Sequence, residues 1–217
     1  VIVLLSTIYC TRLQAQPSIS GPSKSYPSYK ASVRDGPTRP DLKFLSEKLT
    51  DAYYYCDENG LDMHSAIFID LGMHSGYFRC WVIGFKDGVI SLQGSVAHGS
   101  GKGEWLPAGE RKYSNEMGSL LSSLGKYKIG EAYTGRYGLS YRLYGLEPSN
   151  SNAFRRAIVL HGYDCIPDHQ SAGALCQSWG CPSVSQNFFR KLRQVIEKSE
   201  EPMLLWIFDS VKETQKK

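Results

Sequence analysis

Apolar residues recur with two different periods along this chain, and the period changes near residue 66. Before that point Leu42, Leu45, Leu49, Ala52 and Tyr53 return every three or four positions, the spacing that lines one face of an α-helix. Asp41 stands ahead of this run as a candidate N-cap, and Gly60 follows it as a stop. A carboxylate can accept the unpaired amide hydrogens of a first turn, and glycine tolerates the left-handed conformation of a helix end. Beyond residue 66 the runs AIFIDLG, YFRCWVIGF, GVISLQGSVAHG, KYKIGEAY, SYRLYGLE and RAIVLHG are short, β-branched or aromatic, and separated by glycine-rich turns. They predict strands. Lys86-Asp87-Gly88 predicts a hairpin between two of them. Strand follows strand with no helix between, so the chain is expected to fold mainly as β, in a mostly antiparallel sandwich or barrel with a few flanking helices. One further helix, SQNFFRKLRQVIEKSEE, and a buried closing strand, PMLLWIF, complete the pattern; the tail KETQKK is expected to fray.

The ends divide the chain further. VIVLLSTIYCTRLQAQ runs apolar and then polar, and its apolar part is too short to span a bilayer. Residues 1–15 are therefore expected to be the remnant of a signal peptide cleaved after Ala15, which implies export to the periplasm or cell envelope and no transmembrane helix in the mature chain. Residues 16–40, rich in Pro, Ser and Gly, are expected to form a linker. An N-terminal helical segment over 41–65, a catalytic domain over 66–208 and a basic tail over 209–217 follow. At 217 residues with 41% hydrophobic positions, the chain can bury one good core, or one core plus a small accessory piece. Its formal charge of +4, or +3 once Arg12 is removed, is mild and carries no long basic block, which argues against nucleic acid as a partner.

Export gives the cysteines meaning. Without Cys10, five remain: Cys56, Cys80, Cys165, Cys176 and Cys181. An odd number in an oxidising compartment leaves at least one thiol unpaired. Three of the five lie in HGYDCIPDHQSAGALCQSWGCP, from His161 to Pro182, beside two histidines. Cys181 is the candidate nucleophile, because an imidazole nearby raises the thiolate fraction of a thiol. His161, at the end of the apolar run Ala157–Leu160, is mounted as a base. Gly180 allows a sharp turn that brings amide hydrogens towards a reacting carbonyl, as an oxyanion hole needs. Ser178 is placed to hydrogen-bond within that turn or to orient the imidazole. A zinc site competes, with His161, Cys165 and His169 four residues apart and Cys176 and Cys181 as further ligands. Gly162 and Pro167 interrupt the helix that would bring those ligands to one face. A Cys165–Cys176 disulfide, suggested by spacing, would tie the loop and leave Cys181 free; Cys56 and Cys80 are candidates for a second pair.

His161, sixteen residues, then Ser178-Trp179-Gly180-Cys181 resembles the signature of the YkuD-type L,D-transpeptidases. The likeness is nearer to the murein L,D-transpeptidase catalytic domains, in which Trp replaces the second histidine and Pro follows the cysteine. It extends through FIDLGMHSGYFRCWVIGFKDGVI, VAHG, SSLGKYKIGEAYTGRYGLSYRLYGLEPSNSNAFRRAIVLHG and LLWIF, about residues 66–208. The resemblance implies Cys181 as nucleophile, His161 as its base, Ser178 as the orienting residue, and the backbone of Trp179, Gly180 and Cys181 as oxyanion hole. It also implies a mostly-β domain, peptidoglycan stem peptides as substrate, carbapenems as inhibitors, and no metal or organic cofactor. Trp179 departs from the broad family's histidine and cannot carry a proton, and Pro182-Ser183 replaces a hydrophobic residue followed by Asn or Arg. His98 and Arg142 are further candidates for substrate binding, while Trp81, Trp105 and Trp206 suit a core or rim. A cysteine peptidase, an L,D-carboxypeptidase and a silent wall-binding module remain as rivals. A papain-like order would place Cys before His, the reverse of what is found here.

Overall fold

The computed structural model describes residues 41–102 and 111–215. The expected signal-peptide remnant, Cys10, the linker over 16–40, Trp105 and the last two residues of the tail lie outside them. The elements, in chain order, are α1 (Leu42–Asn59), β1 (Ser65–Asp70), β2 (Cys80–Gly84), β3 (Ile90–Gly94), β4 (Val96–Ala97), β5 (Gly125–Gly135) and β6 (Gly138–Gly145). They continue with β7 (Val159–Gly162), β8 (Ser183–Val184), α2 (Gln186–Ile196), β9 (Leu204–Phe208) and α3 (Ser210–Thr214).

Helix α1 begins where its sequence says it should. The Asp41 carboxylate accepts the amide hydrogens of Lys43 and Phe44 at 3.0 and 3.1 Å, and Gly60 ends the helix at φ +62°. Phe44, Leu45, Leu49, Ala52 and Cys56 form its buried face. Helix α2 starts at a Ser185 cap, whose hydroxyl accepts from the Phe188 amide at 3.1 Å, and buries Phe188, Phe189 and Leu192. It ends at Ile196, earlier than the sequence pattern suggests. The tail differs too. Asp209 caps α3 by accepting from the Lys212 amide at 3.0 Å, and Glu213 pairs with Lys48 of α1 at 2.7 Å, so residues 212–214 are helical where fraying is expected.

All nine strands belong to one sheet, in the order β3-β2-β1-β9-β5-β6-β7-β8-β4. Strands β3 and β4 stand at its two ends, yet a single residue, Ser95, separates them in the chain. The sheet therefore comes round on itself as a nearly closed barrel, in keeping with the expected mostly-β class. Pairing is antiparallel throughout except for β1 with β9 and β7 with β8. The Lys86-Asp87-Gly88 turn forms as expected: Gly88 sits at φ +67° and donates to the Gly84 carbonyl at 3.0 Å.

Alternation along β1 and β2 sorts the interior into two cores. Ile67, Ile69, Cys80 and Val82 face the core covered by Phe188, Phe189 and Leu192 of α2. Ala66, Phe68, Trp81 and Ile83 face the one covered by α1, together with Trp206 and Phe208 of β9. Each such buried side chain contributes on the order of 2 kcal/mol, so both faces of the central strands are held. Trp81 and Trp206 are core aromatics, as the sequence suggests. The same alternation overturns one expectation. Cys56 belongs to the core beneath α1 and Cys80 to the opposite one, so both remain free thiols on different faces of the sheet.

Candidate functional site

His161 lies in β7 between two neighbours, opposite Ser140 of β6 and Ser183 of β8. Its ring is buried, with Nδ1 2.9 Å from the carbonyl oxygen of Gly162. A carbonyl only accepts, so Nδ1 carries the hydrogen and Nε2 keeps its lone pair. Ser183 Oγ donates to that Nε2 at 2.8 Å. Tyr137, between β5 and β6, stacks on the ring with centroids 4.3 Å apart and planes 16° from parallel. Burial draws the imidazole pKa below the usual histidine value, while the Gly162 contact acts weakly the other way. The ring is thus neutral at neutral pH, with its basic nitrogen turned to Ser183.

Cys181 ends a turn that only glycine could complete. Ser178 Oγ donates to the Cys181 carbonyl at 2.6 Å and accepts from the Gly180 amide at 3.2 Å. Gly180 sits at φ +113°, and a Cβ there would come within 2.8 Å of the Leu121 carbonyl oxygen. The turn is docked on the end of β4: Ser178 N–H donates to the His98 carbonyl at 2.8 Å, and Ser100 N–H to the Ser178 carbonyl at 2.9 Å. The thiol is partly buried; Sγ accepts weakly from the Val159 amide at 3.5 Å and approaches the Ala157 carbonyl at 3.8 Å. Burial raises its pKa, opposed by the Val159 amide and by the positive charge of Arg156. The thiol and the imidazole therefore both rest uncharged, an arrangement that could support proton transfer between them but not a preformed ion pair.

Cys181, His161 and Ser183 line one cavity of about 530 Å3, together with Ser178, Tyr137 and Trp179. The hydrogen bonds of the thiol and of the imidazole go to other partners, and Ser183 connects the two residues. Its hydroxyl bonds to His161 and lies 3.4 Å from the Cys181 carbonyl oxygen. Arg156 borders the same cavity and is fixed by Ser114, Ser119, Ser123 and Leu121. No carboxylate neutralises it among these partners, so its field favours a thiolate at Cys181.

The other residues singled out by sequence fall in different places. Ser178 closes the turn that ends at Cys181 and does not touch the imidazole; Gly162 and Ser183 orient that ring instead. The Gly180 amide is engaged by Ser178 Oγ, which leaves the Trp179 and Cys181 amides as the oxyanion-hole candidates. His98 is buried outside the cavity lining. Its Nδ1 accepts from Arg79 at 2.9 Å, and its Nε2 has no partner among the described residues. Burial first, then the charges of Arg79 and Arg111, push its pKa down to about 3. His98 is thus a neutral brace whose carbonyl holds Ser178. Arg142 pairs with Glu131 at 2.9 Å and packs on Tyr133, away from the cavity lining. Cys165 and Cys176 form the expected disulfide, which withdraws both from the competing zinc set. Among the described residues no group of three His, Cys, Asp or Glu side chains is arranged to hold a metal ion.

Most of the cavity's remaining lining, Arg136, Tyr137, Arg156 and Ser183 among it, carries no signal singled out in the sequence. Arg136 and Tyr137 sit between Gly135 and Gly138, and a hairpin tip of that kind, flanked by glycines, is a place where loops carry function. Ser183 stands out in the sequence only as a departure from the family's signature.

The catalytic-domain family model for L,D-transpeptidases (YkuD_2) matches residues 39–208, and the chain belongs to that family. Comparison with curated proteins returned no match. Among solved structures, the helical cell shape determining protein Pgp2 from Campylobacter jejuni is 13% identical, with a TM-score of 0.45 over 67% of this chain and 48% of that one. The chain thus spans about half of the length of Pgp2. The L,D-transpeptidase from Xylanimonas cellulosilytica is 17% identical, with a TM-score of 0.37 over 71% of this chain and 68% of that one.

Proposed function

We propose that this protein is an exported peptidoglycan L,D-transpeptidase that works through a thioester on Cys181. The observation that carries the proposal is the shared cavity of Cys181 and His161, with the imidazole held so that Nε2 is the basic nitrogen. Membership of the L,D-transpeptidase family supports the same reading.

In the first half-reaction the Cys181 thiol gives its proton to His161 Nε2, and Sγ attacks the carbonyl carbon of the L-to-D amide in a stem tetrapeptide. The backbone amides of Trp179 and Cys181 would receive the developing oxyanion. The carbon–nitrogen bond breaks, the leaving D-alanine nitrogen takes the proton from Nε2, and a thioester remains. In the second half, an acceptor amine loses a proton to Nε2 and attacks the thioester, releasing the Cys181 thiol. Water in place of the amine would give a tripeptide, an L,D-carboxypeptidase outcome of the same site. A carbapenem would acylate Cys181 by opening its strained lactam.

Purified tetrapeptide muropeptides incubated with the protein and an added amine test the proposal by mass. Cross-linked or amine-exchanged products are expected, and they should be absent with Cys181→Ala. Tripeptide alone would make the protein a hydrolase. Neither product from the folded wild type would favour a wall-binding role.

A further inference from the structure

We propose that Arg136 reads the free carboxylate of the substrate, so that the site selects peptides ending one residue beyond the amide it cleaves. The proposal rests on the thioester chemistry above and specifies its substrate. Arg136 stands at the tip of the β5–β6 hairpin, exposed, at the mouth of the cavity. Its guanidinium lies 5.3 Å from the Trp179 ring and 5.8 Å from the Tyr137 ring. Trp179 belongs to the nucleophile turn, and Tyr137 stacks on the base, so the charge is seated between the two halves of the site.

Aromatic faces hold a guanidinium without using its in-plane N–H donors, which stay available as a fork that matches a carboxylate. Other arginines near this sheet are already engaged. Arg142 is paired with Glu131, and Arg156 spends its hydrogen bonds on the 114–123 segment. Arg136 has no hydrogen-bonding or ionic partner among the described residues. The cavity lining contains two arginines and neither Asp nor Glu, so its field favours an anion. Reach decides which anion. A cavity of about 530 Å3 is roughly 10 Å across. A carboxylate one residue past the scissile carbonyl lies within about 5 Å of it. A longer peptide would put a neutral amide at that place and carry its carboxylate about 3.5 Å further along the chain.

Alkylation of Cys181 tests this without requiring turnover. The thiolate displaces iodide from either iodoacetate or iodoacetamide, two reagents of similar size that differ in having a carboxylate or an amide. The rate ratio of iodoacetate to iodoacetamide at Cys181 should fall about fivefold in Arg136→Gln and recover largely in Arg136→Lys. The wild-type ratio should also shrink with added salt. On muropeptides, Arg136→Gln should raise KM for the free tetrapeptide by about tenfold and leave the C-terminal amide unchanged. A ratio that stays the same in Arg136→Gln, or failure of both reagents to reach Cys181, would overturn the proposal. A lowered ratio with unchanged KM would overturn it as a statement about substrate. A protein inactive on muropeptides but with the expected ratio would instead refute the transpeptidase reading and retain Arg136 as the carboxylate-reading residue.

Discussion

Ser183 Oγ donates to His161 Nε2 across 2.8 Å, while the other ring nitrogen is held by the Gly162 carbonyl at 2.9 Å. These contacts fix the tautomer and the plane of the imidazole from both sides. When Nε2 takes a proton, Ser183 can accept from it and turn its own hydrogen to the Cys181 carbonyl, 3.4 Å away. One hydroxyl can thus partner the imidazole in both of its charge states. A hydrogen bond of this kind is worth about 1 kcal/mol, so Ser183→Ala should lower kcat/KM about fivefold with little change in melting temperature. Unchanged kinetics in a folded variant would remove Ser183 from the machinery.

The pH behaviour of the dyad follows from two shifts with the same cause. Burial lowers the His161 pKa and raises that of Cys181. A base with a lowered pKa stays unprotonated further into acid, so the acid limb of kcat/KM should fall below pH 6.5, the usual histidine value. In His161→Ala the thiol must ionise unaided. Activity should vanish at neutral pH and return only above the ordinary thiol value of 9.0. An acid limb above 6.5, or a His161→Ala profile equal to wild type, would contradict a general-base role.

His98 predicts a stability effect distinct from catalysis. Its pKa is depressed to about 3 in the folded protein from 6.5 unfolded. The unfolded chain therefore binds a proton that the folded chain refuses between those values. The stability contributed by the neutral ring is complete above pH 6.5 and is lost as pH falls towards 3, by about 1.4 kcal/mol per pH unit at most. His98→Asn keeps an acceptor for Arg79 but does not titrate. Denaturant unfolding between pH 6 and 4 should show a shallower slope for this variant by up to one proton. Equal slopes would mean that His98 is protonated in the fold.

The three free thiols among the described residues should respond differently to alkylation. Cys56 and Cys80 are fully buried, and burial pushes the Cys56 thiol up to about 12; Cys181 is partly exposed to its cavity. Without reductant, the folded protein should be labelled at Cys181 alone among the three, and unfolding should expose Cys56 and Cys80. Peptide mapping should also find Cys165 joined to Cys176. A disulfide at Cys181 would defeat the nucleophile assignment.

Local chemistry was legible in the sequence, and distant pairing was not. Asp41 and Gly60 bracket α1 because a cap acts within one turn of its own helix. The strand runs are recognisable from composition. However, nothing in PMLLWIF says that β9 enters the middle of the sheet, parallel to β1 and antiparallel to β5. The site divides in the same way. Cys181 and His161 stand in one stretch with a readable signature, and the disulfide could be read from spacing. Tyr137 and Arg136 reach the site only because the β5–β6 hairpin folds over β7, a placement set by tertiary pairing. Arg142 and His98 looked available as sequence, and the fold gives each a partner, Glu131 and Arg79.

The central claim is a covalent bond between Cys181 and the substrate, and intact-mass spectrometry reads it most directly. Wild-type protein mixed with a tetrapeptide stem and quenched in acid, which preserves thioesters, should gain the mass of the tripeptide acyl group. Digestion should place that group on Cys181, and an added amine should discharge it. Cys181→Ala should gain nothing. A folded wild type whose Cys181 is free to alkylate, yet which neither gains acyl mass nor turns over the stem, would contradict the account.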